Sequence, residues 1–416
     1  MEFDASAKAP DVVMLTADRQ IDRRILLEAD ALEGAGWRVT IVALPLDTPA
    51  ADEDPRVVRV RAASIGAARE ALVRVSYRWV RRWLPMNSPL MRTLKSIAWR
   101  YLVDPESLFR KLFAGAIDAY SPAVFVAHDL PMLPVASPAA ARCGAKLVYD
   151  SHELFSEQDF SAYERRRWAQ IEKKHIGACD AVITVNPSIA RELERRYGLL
   201  QVHVIYNAER SLGASDAPLG RQWRFHDAFG LSRESKLLLL QGGLSAGRNI
   251  ETLVRAMSLV RNAAVHLVIL GDGQLKSRLE AIIRDLTLSS RVHLHPAVAQ
   301  RELLGYTVSA DAGIIPYQAT CLNNLYCTPN KLFEFIASAL PVLGSDLPEI
   351  RRIITENGIG QVADLSSREA IAASIEEFFR DDGRLKTWHA HALEARKVVC
   401  WEREGEKLAS IYGGLR

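Results

Sequence analysis

KLLLLQGGLSAGRNIETLVRA, residues 236–256, holds a strand, a turn and the start of a helix in one short stretch. Four leucines in a row read as a strand buried on both faces. Two glycines follow, and from about Asn249 the apolar residues Ile250, Leu253 and Val254 recur at helical spacing. Strand, glycine turn and helix make half of a βαβ unit. In such a turn Gly242 and Gly243 let the backbone approach an anion. The helix start offers free N–H groups, and Arg248 adds a planar fork of donors. An ordinary strand-to-helix turn with a surface arginine has the same pattern, so the stretch alone leaves both readings open.

Similar apolar, β-branched runs recur along the chain, separated by longer helix-like stretches. In the first half they lie at 11–16, 38–44, 56–60, 124–128, 146–150, 181–185 and 202–206. In the second half they lie at 236–241, 265–270, 291–295, 312–316 and 341–344. The alternation predicts an α/β protein with parallel sheets covered on both faces. The polar segment 207–235, with Gly213, Pro218, Gly220 and Gly230, reads as a linker between two Rossmann-like domains. Domains are expected at 1–206 and 207–380, with a helical tail at 381–416 crossing back to the first.

At 416 residues the chain exceeds one ordinary core, and its 49% hydrophobic and 25% charged residues give a folded globular balance. A net charge of +3 excludes a surface built wholly for nucleic acid. Five cysteines without a CxxC pair imply neither a zinc ribbon nor a complete disulfide framework, and fit a cytoplasmic protein. The start, MEFD, is acidic where a signal peptide is basic, and no apolar run approaches the roughly 18 residues of a membrane span.

Charge is nevertheless segregated. Between Arg56 and Lys111 thirteen basic residues face only Glu70, Asp104 and Glu106, so the remainder of the chain carries −7. Within this insertion, at 69–84, Leu72, Val75, Trp79 and Trp83 share one helical face while Arg74, Arg78 and Arg81 point away. A basic amphipathic helix with two tryptophans suits an anionic membrane surface, giving a peripheral location on the inner face of the cytoplasmic membrane. A helix packed on its own domain, with a solvated arginine face, fits equally well.

GxGxxG, GxxxxGK[ST], HExxH and GxSxG are all missing, which removes the usual entry points to dinucleotide enzymes, P-loop NTPases, zincins and α/β-hydrolases. The informative second stretch is TPNKLFEFIASALPVLGSD, 328–346. Pro329 suits a helix start, and Glu334 lies one turn beyond Asn330. A carboxylate so placed, at the carboxyl edge of a sheet, can accept both hydroxyls of a ribose, or can merely balance the helix dipole. No cofactor is implied by these motifs. Asp52, Glu53 and Asp54 form an acidic triplet, but in a surface loop where solvation is the simpler reading, so no metal is expected.

The pattern PNKLFEF-x-A-x-ALPVLGSD-x-PE, with GGL-x3-R-x-I-E-x-L, LVILGDG and the tail ending in Cys400-Trp401-Glu402, resembles the carboxyl-terminal domain of GT-B glycosyltransferases of the family 4-like group. The first half is similar to that group's amino-terminal domain in Asp22-x-Arg24-x3-Glu28, in Ala127-His128-Asp129 and in Tyr149-Asp150-Ser-His152-Glu153. The resemblance implies two Rossmann-like domains facing a central cleft. It also implies transfer of a sugar from a nucleotide-diphosphate donor, with retention; the basic helix suggests a glycan or lipid-linked acceptor, and the lack of a DxD-like motif in a credible cleft position suggests transfer without a metal.

On this resemblance Arg248 and Lys331 would stabilise the departing diphosphate. Gly242, Gly243, Gly271, Gly273, Asn330 and Glu334 would line the nucleotide, with Glu334 on the ribose. His128 would sit near the donor sugar, although a buried core histidine is its plainer reading. Asp129 is the companion catalytic candidate, and Arg19, His152 and Glu153 are acceptor-side candidates, the last two being equally readable as structural residues that hydrogen-bond at a strand end. The sequence departs from the group in three places. Tyr326 stands where the first of two paired glutamates falls, Leu244 stands where an arginine follows the glycine, and the first loop has Arg19, Arg23 and Arg24 in place of a glycine pair. A nucleotide-sugar epimerase on the same fold, or a catalytically silent sugar-nucleotide-binding subunit, are the alternatives.

Overall fold

The computed structural model of the protein describes residues 11–46, 53–60, 104–211 and 221–416. The expected basic amphipathic helix at 69–84 lies outside them. The chain forms two compact units, Met1–Ile205 with Gly405–Arg416, and Tyr206–Glu404.

In the first unit seven strands form a parallel sheet in the order β3-β2-β1-β4-β5-β6-β7: β1 (Val12–Thr16), β2 (Val39–Ala43), β3 (Val57–Arg59), β4 (Val124–His128), β5 (Lys146–Ser151), β6 (Ala181–Thr184) and β7 (His203–Val204). Helices α1 (Arg23–Gly34), α2 (Pro105–Ile117), α3 (Leu133–Cys143), α4 (Ala162–Ile176) and α5 (Pro187–Tyr197) connect them. The local chemistry sets their ends. Asp22 caps α1 through its side chain, Ser161 and Glu164 form a reciprocal capping box on α4, and Gly144 and Gly198 end α3 and α5 in left-handed conformation. β1 lies between β2 and β4, so the strand order reverses there. Thr16 pairs with His128, and His128 with Asp150, at the carboxyl ends of their strands. Open parallel sheets bind ligands at such a switch point.

The second unit repeats the plan with α6 (Arg224–Phe229), β8 (Lys236–Gln241), α7 (Ile250–Ala256), β9 (Val265–Leu270), α8 (Lys276–Asp285), β10 (Val292–His295), α9 (Gln300–Thr307), β11 (Ala312–Ile315), α10 (Leu322–Leu325), α11 (Asn330–Ala337), β12 (Val342–Ser345), α12 (Pro348–Asn357), β13 (Gly360–Ala363), α13 (Arg368–Phe378) and α14 (Asp382–Ala395). Its parallel sheet runs β10-β9-β8-β11-β12-β13, with the reversal at β8. The leucine run is explained by burial on both faces. Leu238 and Leu240 pack with Leu267, Ile269 and Phe378, while Leu237 and Leu239 pack with Val268, Phe335 and Ile354.

Three expectations change. The segment 207–235 is no simple linker, because it includes α6, whose Phe225 is buried in the second core. The edge strand β13 is an addition. The tail divides: α14 packs on α11 and α12 through Ala392 and Ala395, and only Gly405–Arg416, which begins within α15 (Trp401–Gly413), joins the first unit. Among the described residues no helix is long and apolar enough to cross a membrane.

Candidate active site

At the switch point of the first unit the side chains of β4 and β5 form a buried polar cluster. Asp150 anchors it. Arg24 donates from Nε to Asp150 Oδ2 at 3.2 Å and from Nη2 to Oδ1 at 3.1 Å, and its Nη1 donates to the Ile205 carbonyl at 2.8 Å. Although burial opposes it, this guanidinium holds the Asp150 carboxyl well below the usual range, and Asp150 stays ionised. Glu28, 2.8 Å from Arg24 Nε, is pushed the other way by burial and by the nearby Asp150 charge. One guanidinium thus stands against two carboxyls, bonded twice to Asp150, while Glu28 is shifted toward its neutral form.

Asp150 Oδ2 in turn lies 3.2 Å from His152 Nε2 and 3.4 Å from His128 Nδ1, and those two ring nitrogens are 3.2 Å apart. His152 is an imidazolium. Burial opposes that charge, but Asp129 and Asp150 push its pKa up to about 10. His128 is held neutral by burial, and its Nε2 has no hydrogen-bond partner. Asp129 adopts a left-handed backbone (φ 61°) that turns its Oδ1 onto the His152 N–H at 3.0 Å, and burial pushes its carboxyl up to about 7 against the pull of His152.

His128, Asp150 and His152 bring three possible metal ligands within 4.8 Å of one another, the one such group among the described residues. The chemistry of the set disfavours a dication, because both Asp150 oxygens are committed to Arg24, whose charge sits beside any ion placed there. In the acidic loop Glu53 pairs with Arg59 and Asp54 with Arg56.

In the second unit the turn after β8 is open to solvent at Gly242 and Gly243. A methyl group placed on Gly242 would lie 3.8 Å from both Arg248 Nη1 and Lys331 Nζ, so two cations flank the turn. Both also sit over the Tyr317 ring, at 5.7 Å and 5.2 Å from its centroid. Burial first, and the Arg248 charge second, lower the Lys331 ammonium to about 7. Asn249 caps α7 in left-handed conformation, and α7 is only two turns long, so the positive potential here comes from side chains more than from the helix. Asn330 opens α11 and accepts from Asn207 Nδ2 at 2.7 Å. Glu334, one turn on, accepts from Gln241 Nε2.

The family described as Glycosyl transferase 4-like domain matches residues 21–208, and the family described as Glycosyl transferases group 1 matches residues 235–381. The chain belongs to the GT-B glycosyltransferases of the family 4-like group. It is similar to D-inositol 3-phosphate glycosyltransferase of Xylanimonas cellulosilytica, 23% identical over 58% of each chain. Among solved structures it resembles sucrose-phosphate synthase of Thermosynechococcus elongatus (TM-score 0.73, 16% identity, 98% of this chain and 99% of that one). It also resembles HepE of Anabaena in complex with UDP and glucose (TM-score 0.68, 13% identity, 97% and 100%). The matching region spans between 44% and 66% of the length of the curated relatives.

In this GT-B chain the structure brings Gly242, Gly243, Arg248 and Lys331 together, with Glu334 on the same helix as Lys331. His128, Asp129 and His152 form the separate cluster of the first unit. Glu153 is engaged by Gln158 and, through its carbonyl, by Ser151 Oγ at 2.7 Å. Arg19 is exposed. Arg24, one of the three arginines that stand in place of the glycine pair, is fully buried on Asp150 and so is spent on the cluster. Gly271 and Gly273 have a packing role: a methyl on Gly271 would come within 2.1 Å of the Gly242 carbonyl oxygen, and one on Gly273 within 2.5 Å of that of Leu244. Leu244, where the family has an arginine, is buried in that loop contact. Gln241, Thr307, Tyr317 and Asp150 were absent from the sequence-based site. A polar residue closing a run of leucines was the visible signal for Gln241.

Proposed function

We propose that the protein transfers a sugar from a nucleoside-diphosphate donor to an acceptor hydroxyl in glycan synthesis, with retention at the anomeric carbon. The observation that carries this reading is the cationic turn of the second unit, where Gly242 and Gly243 expose backbone between Arg248 and Lys331. A departing diphosphate needs its charge stabilised as the glycosidic bond breaks, and two fixed cations over an open turn supply that without a metal. Glu334 accepts the ribose hydroxyls. In the first unit His128, neutral and with Nε2 unpartnered, offers a hydrogen bond to a sugar hydroxyl, and Asp150 orients its ring. His152 and Asp129 hold the neighbouring charge balance. The acceptor is proposed to be a lipid-linked glycan at the inner face of the cytoplasmic membrane, a reading supported by the segregated charge at 56–111.

A thermal-shift screen with UDP, GDP, CDP, ADP and their sugars tests this, because ligand binding stabilises the native state by mass action. One nucleotide series is expected to raise the melting temperature, with turnover giving a product of unchanged anomeric configuration by NMR. Arg248→Ala should weaken binding by about 1.5–3 kcal/mol, the worth of a charge-assisted hydrogen bond. No stabilisation by any of them removes the donor reading. Epimerisation at C2 without acceptor points to an epimerase, and binding without turnover to a silent subunit.

A further inference from the structure

We propose that Gln241 is a positioning residue that aims the Glu334 carboxylate at the donor ribose, and that Thr307 in turn fixes Gln241. The inference rests on the nucleotide reading given above. Gln241 is the last residue of β8, immediately before Gly242, and all but 1% of its surface is buried. Its amide bridges two elements: Nε2 donates to Glu334 Oε2 on α11, and Oε1 accepts from Thr307 Oγ1 on α9 at 3.0 Å.

The orientation of that amide follows from donor and acceptor chemistry. An ionised carboxylate only accepts, so the NH2 end of Gln241 must face Glu334, and the carbonyl end is left toward Thr307. A hydroxyl has one proton. Thr307 Oγ1 also lies 2.9 Å from the Leu303 carbonyl, and giving its proton there would leave the Gln241 oxygen facing a lone pair. The proton therefore goes to Gln241, and the chain Thr307 to Gln241 to Glu334 runs in one direction.

Its consequence is selective. Gln241 occupies Oε2 of Glu334 and leaves the lone pairs of Oε1 for a ligand. Without the amide donor the carboxylate is free to rotate about its last torsion, which is broad for a terminal sp2 group. A buried carboxylate held at one oxygen discriminates a ribose from a deoxyribose, because the analogue lacking the hydroxyl leaves the acceptor unpaired.

The test is a ratio of affinities by calorimetry. The tightest of UDP, GDP, ADP and CDP is compared with its 2′-deoxy and 3′-deoxy forms. The wild-type protein is expected to favour ribose over at least one deoxy form by about tenfold or more, as for a charge-assisted hydrogen bond. In Gln241→Met and in Thr307→Val that ratio should fall to within about threefold of unity, while Thr307→Ser, which restores the hydroxyl, keeps it. A residue serving only to support the fold would weaken all three nucleotides alike and leave the ratio unchanged. Should Gln241→Met fail to fold, the Thr307→Val and Thr307→Ser pair carries the comparison. A preserved ratio in folded Thr307→Val and Gln241→Met overturns this inference alone. Failure of the wild-type protein to bind any of the four diphosphates overturns the nucleotide reading and this inference with it. Equal binding of ribose and deoxyribose forms by the wild-type protein overturns the assignment of Glu334 to the ribose.

Discussion

Lys331 lies within the second unit, buried beside Arg248, with its ammonium lowered to about 7 by that burial and then by the guanidinium. A lysine in the unfolded chain titrates at about 10.4. Through the window between those values the unfolded chain binds a proton that the folded one does not. This group therefore subtracts stability as pH falls through the window, with the full penalty present below pH 7. A bound diphosphate reverses the preference, since it favours the charged ammonium. Nucleotide binding should thus take up a proton above pH 7, and affinity should decline by up to about tenfold per pH unit as pH rises. Calorimetry in buffers of differing ionisation heat measures the uptake. The terminal phosphate titrates near pH 6, below this window. Lys331→Arg should flatten the profile, because a guanidinium does not titrate there; a wild-type profile already flat from pH 7 to 9 would sink the idea. At this scale the sequence named the cation, and its depressed pKa came only from seeing it buried beside Arg248.

The glycine loops show what one element demands of another. The loop after β9 lies directly on the loop after β8, with Leu244 N donating to the Asp272 carbonyl at 2.9 Å and Leu275 N donating to the Leu244 carbonyl at 3.1 Å. A side chain at Gly273 would strike backbone, whereas one at Gly243 would meet nothing nearer than Arg248 Nη1 at 3.7 Å. Gly273→Ala should therefore cost the second unit about 1–3 kcal/mol and displace the 242–244 turn. Gly243→Ala should melt as the wild-type protein does but bind nucleoside diphosphate more weakly, since its methyl narrows the anion's approach. Melting curves and titration of the two variants separate these effects; equal stability of both would remove the packing role from Gly273. The family resemblance placed all four glycines beside a nucleotide. Distances were needed to tell which glycines have room for a side chain and which press on another loop. Twelve strands were legible because each carries an apolar, β-branched run, buried along its whole length in β1, β4, β6, β11 and β12 and only half-buried in β3 and β7. β13, half-buried at the sheet edge with a glycine at its start, carries no such run and was missed.

For the whole molecule the sequence suggested two Rossmann-like units and a returning tail, since alternating strand and helix patterns fix the class of fold. Where the tail changes units was not legible, because a helical pattern runs through both α14 and α15 and only packing distinguishes them. The second unit is one continuous segment, Tyr206–Glu404, while the first is completed by Gly405–Arg416. That short piece matters to the first core. Tyr412 is fully buried, edge-on to Trp37 with ring centroids 6.2 Å apart, and Leu408 is also fully buried. Burying two such side chains contributes about 1.5–3 kcal/mol each, a large share of the roughly 5–15 kcal/mol that holds a domain folded. A chain ended at residue 404 should therefore lose or greatly lower the melting transition of its first unit and keep that of its second. The segment 206–404 expressed alone should fold and retain nucleoside-diphosphate binding, because Gly242, Arg248, Lys331, Glu334, Gln241 and Thr307 all lie within it. Calorimetric melting of the two truncations, with nucleotide added to mark the second transition, checks both halves of the argument. An undisturbed first transition in the shortened chain would show that α15 is dispensable there, and an unfolded 206–404 segment would show that the second unit depends on the first.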